Sequence, residues 1–201
     1  IDTDYLIVGA GALGLSFADS LLDHSDAHIT FVDQHPKPGG HWNVAYPFVT
    51  LHQPSATYGL NSMDMGDDRI DSAGPNEGFY ELATGTQVLG YFERAMHERF
   101  IPSGRVSYYP MSKYQQSESG EHSFVSSLSG KETRVNVRRK LVDCRTFTAS
   151  VPATHKRKFD ITDGVQLTTP GKLPEAWMGG ANPPEHYVIM GAGKTAMDVG
   201  V

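Results

Sequence analysis

Apolar positions along the chain fall first into a continuous run, Tyr5-Leu6-Ile7-Val8, with no polar residue alternating through it. An uninterrupted run of this kind predicts a parallel strand covered on both faces. It ends directly in Gly9-Ala10-Gly11-Ala12-Leu13-Gly14. Leu15, Ala18, Leu21 and Leu22 then recur at the helical period and predict a helix over residues 12–22. After a polar turn, the β-rich run His28-Ile29-Thr30-Phe31-Val32 completes a βαβ unit.

The pattern then fades. Residues 33–78 are rich in Gly, Pro, Asn, Asp and Ser and keep no sustained period, and an irregular stretch of that length inside a domain is usually functional. Periodicity returns over residues 86–100, where Thr86 is the predicted N-cap and Val88, Leu89, Phe92, Ala95, Met96 and Phe100 form one apolar face. Pro102 and Gly104 stop that helix. Residues 105–109, 122–128 and 134–137 are strand-like, and the turn signals Ser119-Gly120 and Ser129-Gly130 predict a small antiparallel meander, with one more strand over 140–144. Pro152, Pro170, Pro174, Pro183 and Pro184 mark residues 146–186 as a connection. The opening grammar then restarts: Tyr187-Val188-Ile189-Met190 predicts a strand, Gly191-Ala192-Gly193-Lys194-Thr195-Ala196 a glycine turn, and Thr195 the start of a helix.

Composition narrows the function. The 201 residues are 39% hydrophobic and 20% charged, enough to bury a core. The net charge is −6 and the basic runs at 138–140 and 156–158 are short, so nucleic acid is not an expected partner. The single cysteine, Cys144, excludes an intrachain disulfide and a multi-cysteine metal site, which fits a reducing compartment. No apolar run approaches the ~20 residues of a membrane span, and a cytoplasmic location is expected. The nine histidines show no HExxH or HxH spacing, so no metal site is expected.

Gly9, Gly11 and Gly14 stand at the three positions of a dinucleotide fingerprint. The first permits a tight turn, the second a close backbone approach to a pyrophosphate, and the third close packing of helix on strand. Ala12 opens the helix whose N-terminus faces the phosphates. Asp33 follows Gly14 by 19 positions, at the end of the second strand, where a carboxylate accepts hydrogen bonds from ribose hydroxyls. Gly191, Gly193 and Ala196 repeat the pattern as GxGxxA. Gly193-Lys194-Thr195 is not a Walker A ending, because the required earlier glycine position holds Val188. Gly14-Leu15-Ser16-Phe17-Ala18 lacks the last glycine of a nucleophile elbow. The expected architecture is α/β: a three-layer Rossmann-like fold with a β meander over residues 1–145, the connection 146–186, and the start of a second Rossmann unit over 187–201.

Asp33 is followed, after five residues, by Gly39-Gly40-His41-Trp42. This segment resembles the one that runs along the FAD in flavin-containing and Baeyer-Villiger monooxygenases. Two fingerprints in one chain likewise resemble flavoproteins with two dinucleotide-binding domains, FAD in the first and NAD(P)H in the second. The resemblance implies that Gly39, Gly40 and Trp42 are flavin-site residues. It also brings the loop Leu51-His52-Gln53-Pro54-Ser55 near the flavin ring, with His52 and Gln53 as candidate contacts. The fuller Baeyer-Villiger fingerprint is missing, and no catalytic side chain is named. The implied activity is an NAD(P)H-dependent, monooxygenase-like flavoprotein oxidoreductase acting on a small-molecule substrate. A reductase or dehydrogenase without oxygen insertion, and an FAD-binding fragment without turnover, are the alternatives. Only 15 residues run from Tyr187 to Val201, against roughly 30 for a βαβ unit, so the chain is expected to be the amino-terminal part of a longer protein.

Gly11→Val is expected to block the pyrophosphate approach and abolish FAD retention; unchanged flavin content in the purified variant would contradict the fingerprint assignment.

Overall fold

The computed structural model describes residues 1–145, 157–178 and 184–200. Strand β1 (Asp2–Val8) leads through the glycine turn into α1 (Ala12–His24) and then β2 (Ile29–Val32). A long loop with a two-residue hairpin, β3 (Gly59–Leu60) and β4 (Met63–Asp64), reaches α2 (Gly85–Ala95), which continues as one π-helical turn, Met96–Phe100. Strands β5 (Val106–Tyr109), β6 (Ser112–Gln116), β7 (His122–Ser126) and β8 (Glu132–Asp143) follow. Two short helices, α3 (Leu173–Met178) and α4 (Lys194–Gly200), lie in the carboxyl-terminal part.

The six long strands form one mixed sheet in the order β5-β2-β1-β8-β7-β6. Its β5, β2, β1 and β8 pairings are parallel, with Ile7 opposite Phe31 and Val8 opposite Asp143. The β6-β7-β8 pairings are antiparallel. β8 serves both halves: residues 132–135 pair with β7, and residues 136–143 run alongside β1.

Burial on both faces, to which a strand turns alternate residues, explains the apolar run Tyr5–Val8 of β1 and the largely apolar β2. Ile7 and Phe31 face α1 and α2, where they join Leu15, Val88, Phe92 and Phe100 in the main core. Leu6, Val8 and Val32 face the other way, against Phe124 and Val135 of the meander. The sheet is thus sandwiched between helices and meander strands, the three layers that the apolar pattern implied. Phe31 and Phe100 meet edge to face at 6.1 Å between ring centres, fixing the π-helical turn on the sheet.

Four expectations change. The N-cap of α2 is Thr84, because only Thr84 has a glutamine three residues on: its hydroxyl accepts from Gln87 N–H, and the Gln87 side chain accepts from Thr84 N–H at 2.8 Å. Thr86 lies inside the first turn. Residues 106–109 belong to the parallel sheet beside β2, because α2 acts as the crossover that returns the chain to that edge. The first meander strand is instead Ser112–Gln116, whose polar composition hid it. Residues 140–144 continue β8 rather than forming a separate strand. Finally, Tyr187-Val188-Ile189-Met190 forms no strand, and Val188 is 91% exposed. An apolar run becomes a strand only beside a partner ladder, and among the described residues none pairs with it. The helix after the second glycine turn starts at Lys194. Of the connection, Pro152 and Pro183 lie outside the described residues.

Asp19 on α1 is buried and accepts from Ser62 N–H (3.1 Å), Ser62 Oγ–H (2.5 Å) and Arg99 Nε–H (2.5 Å), so one carboxylate ties the long loop and the π-helical turn to α1. Arg99→Met leaves that carboxylate short of its cation and is expected to cost about 2–3 kcal/mol, read as a lower urea midpoint with an unchanged slope.

Candidate functional site: a glycine and aspartate crevice

The turn after β1 is built from backbone. Gly9 takes φ +105°, a conformation that L side chains rarely adopt, and donates its N–H to Val32 O at 2.9 Å. Gly11 is the N-cap of α1 and offers no side chain to the first-turn N–H groups; no acidic residue stands in that turn. The helix N-terminus therefore presents unsatisfied donors and its positive dipole end at the mouth of the turn. Gly14 is needed for packing, since a Cβ built there overlaps Gly9 O and lies 3.2 Å from the Ile7 side chain.

Asp33 closes the turn from the side. Its carboxylate is 4% exposed and accepts Ala10 N–H on Oδ2 at 2.5 Å and His35 N–H on Oδ1 at 2.7 Å. An ionised carboxylate has about four acceptor sites, so two remain for hydroxyl groups of a ligand. The second glycine pair completes the wall. Gly39 N–H donates to Ala10 O at 2.7 Å, and Gly39 and Gly40 take φ +126° and +57°. Gly11 and Gly40 lie backbone to backbone: a Cβ on Gly40 would sit 3.0 Å from Gly11 Cα, and one on Gly11 would sit 3.3 Å from Gly40 Cα. Gly9, Gly11, Ala12, Asp33, Gly39 and Gly40 therefore come together in one cluster at the carboxyl ends of β1 and β2, the candidate crevice, with Gly14 buried behind it in the helix–strand contact.

Trp42 has a different place. Its indole N–H donates to Tyr58 OH at 2.9 Å, the two rings meet edge to face at 6.2 Å, and Trp42 packs against the main core. It anchors the turn Gly40–Val44 to the body of the protein. Burial pushes the Tyr58 hydroxyl above its ordinary pKa, so it stays a neutral partner for the indole. The segment carrying His52 and Gln53 is tethered at both ends to the strand-like stretch before α2, by Leu51 N–H to Ala83 O (2.8 Å) and Ser55 N–H to Glu81 O (2.9 Å). His52 is exposed and Gln53 half-buried, and no hydrogen bond among the described residues joins either to the glycine crevice.

The second motif also stands apart from this cluster. Gly191 takes φ +142°, Gly191 and Gly193 are exposed, and Ala196 N–H donates to Gly193 O at 3.0 Å as α4 begins. Asp198 on α4 pairs with Lys194 and accepts from Tyr46 OH at 2.7 Å, which ties α4 to the loop just beyond the Gly39-Gly40 turn. Burial, reinforced by Asp198, pushes the Tyr46 hydroxyl up to about 12.

Sequence reasoning missed the third wall. β2 and β5 lie on one side of β1 and β8 on the other, so the strand order reverses between β1 and β8, and in open α/β sheets ligands bind outside the carboxyl ends of strands at such a point. Cys144 N–H donates to Val8 O at 2.9 Å, and Cys144 packs across from Gly9. The strand expected over 140–144 was the available signal; its pairing with β1 was not. Burial raises the Cys144 pKa, with Asp143 adding to the effect, which keeps the thiol protonated. A cavity of about 300 Å³ beside α2, lined by Ser55, Met65, Arg69, Glu81, Tyr91 and Arg94 among others, includes none of the crevice residues.

Sheet and glycine turn together define a Rossmann-like α/β fold. Residues 7–66 match the family model of the NAD(P)-binding Rossmann-like domain. The chain is 42% identical over 199 residues to uncharacterized proteins of Mycobacterium bovis and Mycobacterium tuberculosis, covering 99% of this chain and 35% of theirs, so it spans about a third of the length of the curated relatives it matches. Among solved structures, a substituted flavin monooxygenase from Stenotrophomonas maltophilia aligns with TM-score 0.50 at 21% identity, over 71% of this chain and 38% of that one. A bacillithiol disulfide reductase from Bacillus cereus aligns with TM-score 0.55 at 11% identity, over 71% and 39%. Over these parts the chain shares its fold with both solved structures.

Asp33→Asn puts an amide N–H₂ against a backbone N–H and leaves Ala10 or His35 without its acceptor. It is expected to lower stability by about 1–3 kcal/mol as well as weaken nucleotide binding, measured by denaturant unfolding without added ligand.

Proposed function

We propose that the chain is the FAD-binding part of an NAD(P)H-dependent flavoprotein oxidoreductase of monooxygenase-like type. The observation that carries the reading is the buried Asp33 carboxylate fixed to the Ala10 N–H of the fingerprint turn, with Gly39-Gly40 packed on Gly11. A ribose-accepting acid and two side-chain-free glycine turns suit a dinucleotide, and any Cβ at Gly40 would press on Gly11 and force the two turns apart. Asp33 would hold the ribose hydroxyls, the first turn of α1 at Ala12 the pyrophosphate, and Gly9, Gly11, Gly39 and Gly40 the close backbone approach, with Gly14 seating the helix on the strand.

When bound, the flavin supplies hydride acceptance and, once reduced, reactivity toward O₂. The protein's own share is position and electrostatics. The α1 N-terminus stabilises negative charge, Asp33 orients the ribose, and the Trp42 to Tyr58 hydrogen bond holds the second glycine turn in place. His52 and Gln53 are the candidates for contact with the ring system. Gly191, Gly193 and Ala196 are the candidates for NAD(P)H, in a second unit over residues 187–201 that follows the connection 146–186. A cytoplasmic enzyme acting on a small molecule fits this assignment, while electron transfer to an acceptor without oxygen insertion is the second reading, in keeping with the fold shared with a disulfide reductase. The lone Cys144 offers no Cys-x-x-Cys dithiol for disulfide reduction within this chain.

The purified chain is expected to show a flavin absorbance spectrum and to release FAD near one per chain on denaturation, identified by chromatography against FAD, FMN and NAD standards. Release of FMN or NAD, or a folded chain that takes up no FAD, overturns the assignment.

A further inference from the structure

A bound pyrophosphate carries two negative charges, and the crevice as described offers it little positive charge. Across the two glycine turns and the end of β2, residues 9–14 and 33–42, the only lysine or arginine is Lys37, which is exposed and paired with Glu93 at 3.0 Å. The nearby fixed charges of known position are carboxylates: Asp33 at the end of β2 and Asp143 at the end of β8, opposite Val8. Arg145 is the exception. β8 lies in parallel register with β1, Cys144 N–H bonds Val8 O at 2.9 Å, and Cys144 packs across from Gly9, so the backbone of Arg145 leaves directly from the residue beside the fingerprint turn.

Its side chain is held in a defined orientation. Nε and Nη2 donate to the two Asp143 oxygens at 2.9 and 2.6 Å, and the guanidinium lies over the Tyr114 ring at 5.2 Å. Tyr114 in turn is fixed by a 2.8 Å hydrogen bond with His122. The fork uses two of five guanidinium donors on Asp143, and the side chain remains 51% exposed.

We propose that Arg145 is the cationic phosphate-binding residue of the crevice, placed at the β1/β8 strand-order reversal to take the pyrophosphate of the dinucleotide from the side opposite Asp33. The proposal rests on the assignment of that crevice to a dinucleotide. Guanidinium suits the role because it stays charged and meets phosphate oxygens through paired N–H donors. Asp143 is then a positioning residue. Arg145 holds its carboxyl below the ordinary range, so it stays ionised and keeps the guanidinium in one orientation.

The test is the dissociation constant of ADP, which carries the pyrophosphate without a flavin, and of FAD, measured by calorimetry on the wild-type chain and on Arg145→Gln, Arg145→Lys and the double variant Asp143→Asn/Arg145→Gln, each with its urea midpoint. Arg145→Gln is expected to weaken both ligands by about tenfold or more at an unchanged midpoint, and Arg145→Lys to recover part of the loss. The double variant is expected to stay weak. Recovery in the double variant would mean that Arg145 only neutralises Asp143, and overturns the proposal, as does unchanged affinity in Arg145→Gln with a wild type that binds. A folded wild type that binds neither ADP nor FAD overturns the crevice assignment itself and this proposal with it.

Discussion

Asp33 accepts the N–H groups of Ala10 and His35 on its two oxygens and so holds the peptide between Gly9 and Ala10, while Ala10 O accepts Gly39 N–H and keeps the next peptide where Gly40 packs against Gly11. Everything that makes the crevice follows from this close approach. Two backbone turns meet with less room than a methyl group needs, so glycine is required on both sides, and Gly39 and Gly40 adopt positive φ to make the turn that brings them there. A buried carboxylate is costly unless its lone pairs are used, and here backbone donors use them, which makes the same group a structural clamp and a ligand acceptor.

The layers around the crevice serve that contact. The β1 and β2 strands are apolar on both faces because helices cover one and the meander the other. β8 is the element that joins the two halves: its first residues complete the meander, and its last run beside β1 and finish at Asp143, Cys144 and Arg145. One strand thus carries the chain from the covering layer to the mouth of the site. The long loop between β2 and α2 is held by few but strong points, Asp19 with Ser62 and Arg99, Trp42 with Tyr58, and Tyr91, whose hydroxyl donates to Met63 O at 2.5 Å and accepts from Leu60 N–H at 2.7 Å. Its irregularity therefore reflects side-chain anchoring in place of a backbone ladder.

The second glycine motif shows what a local signal leaves open. Gly191, Gly193 and Ala196 make the turn and helix start that their spacing implies, yet the run before them forms no strand among the described residues. Helix α4 reaches the rest of the chain through Asp198 on Tyr46. Turn and helix depend on hydrogen bonds within a few residues, whereas a strand depends on a neighbour that sequence proximity does not supply.

The same division runs through the molecule. The βαβ opening, the glycine turn, Asp33 at its distance and the apolar face of α2 were legible in the sequence, because each rests on a short-range period or on a backbone geometry that only glycine or a cap residue permits. The antiparallel partner β6 of β7, the shared use of β8 and the hydrogen bond of Trp42 to Tyr58 were not. Ser112–Gln116 is too polar to announce a strand, and a run such as residues 140–144 reads alike beside a meander or beside β1. Tertiary structure alone decided that Gly11 meets Gly40, that Asp33 bonds Ala10, and that Cys144 meets Val8 and Gly9. These contacts join residues up to 136 positions apart, and a pattern along the chain holds no record of which distant backbone comes within reach.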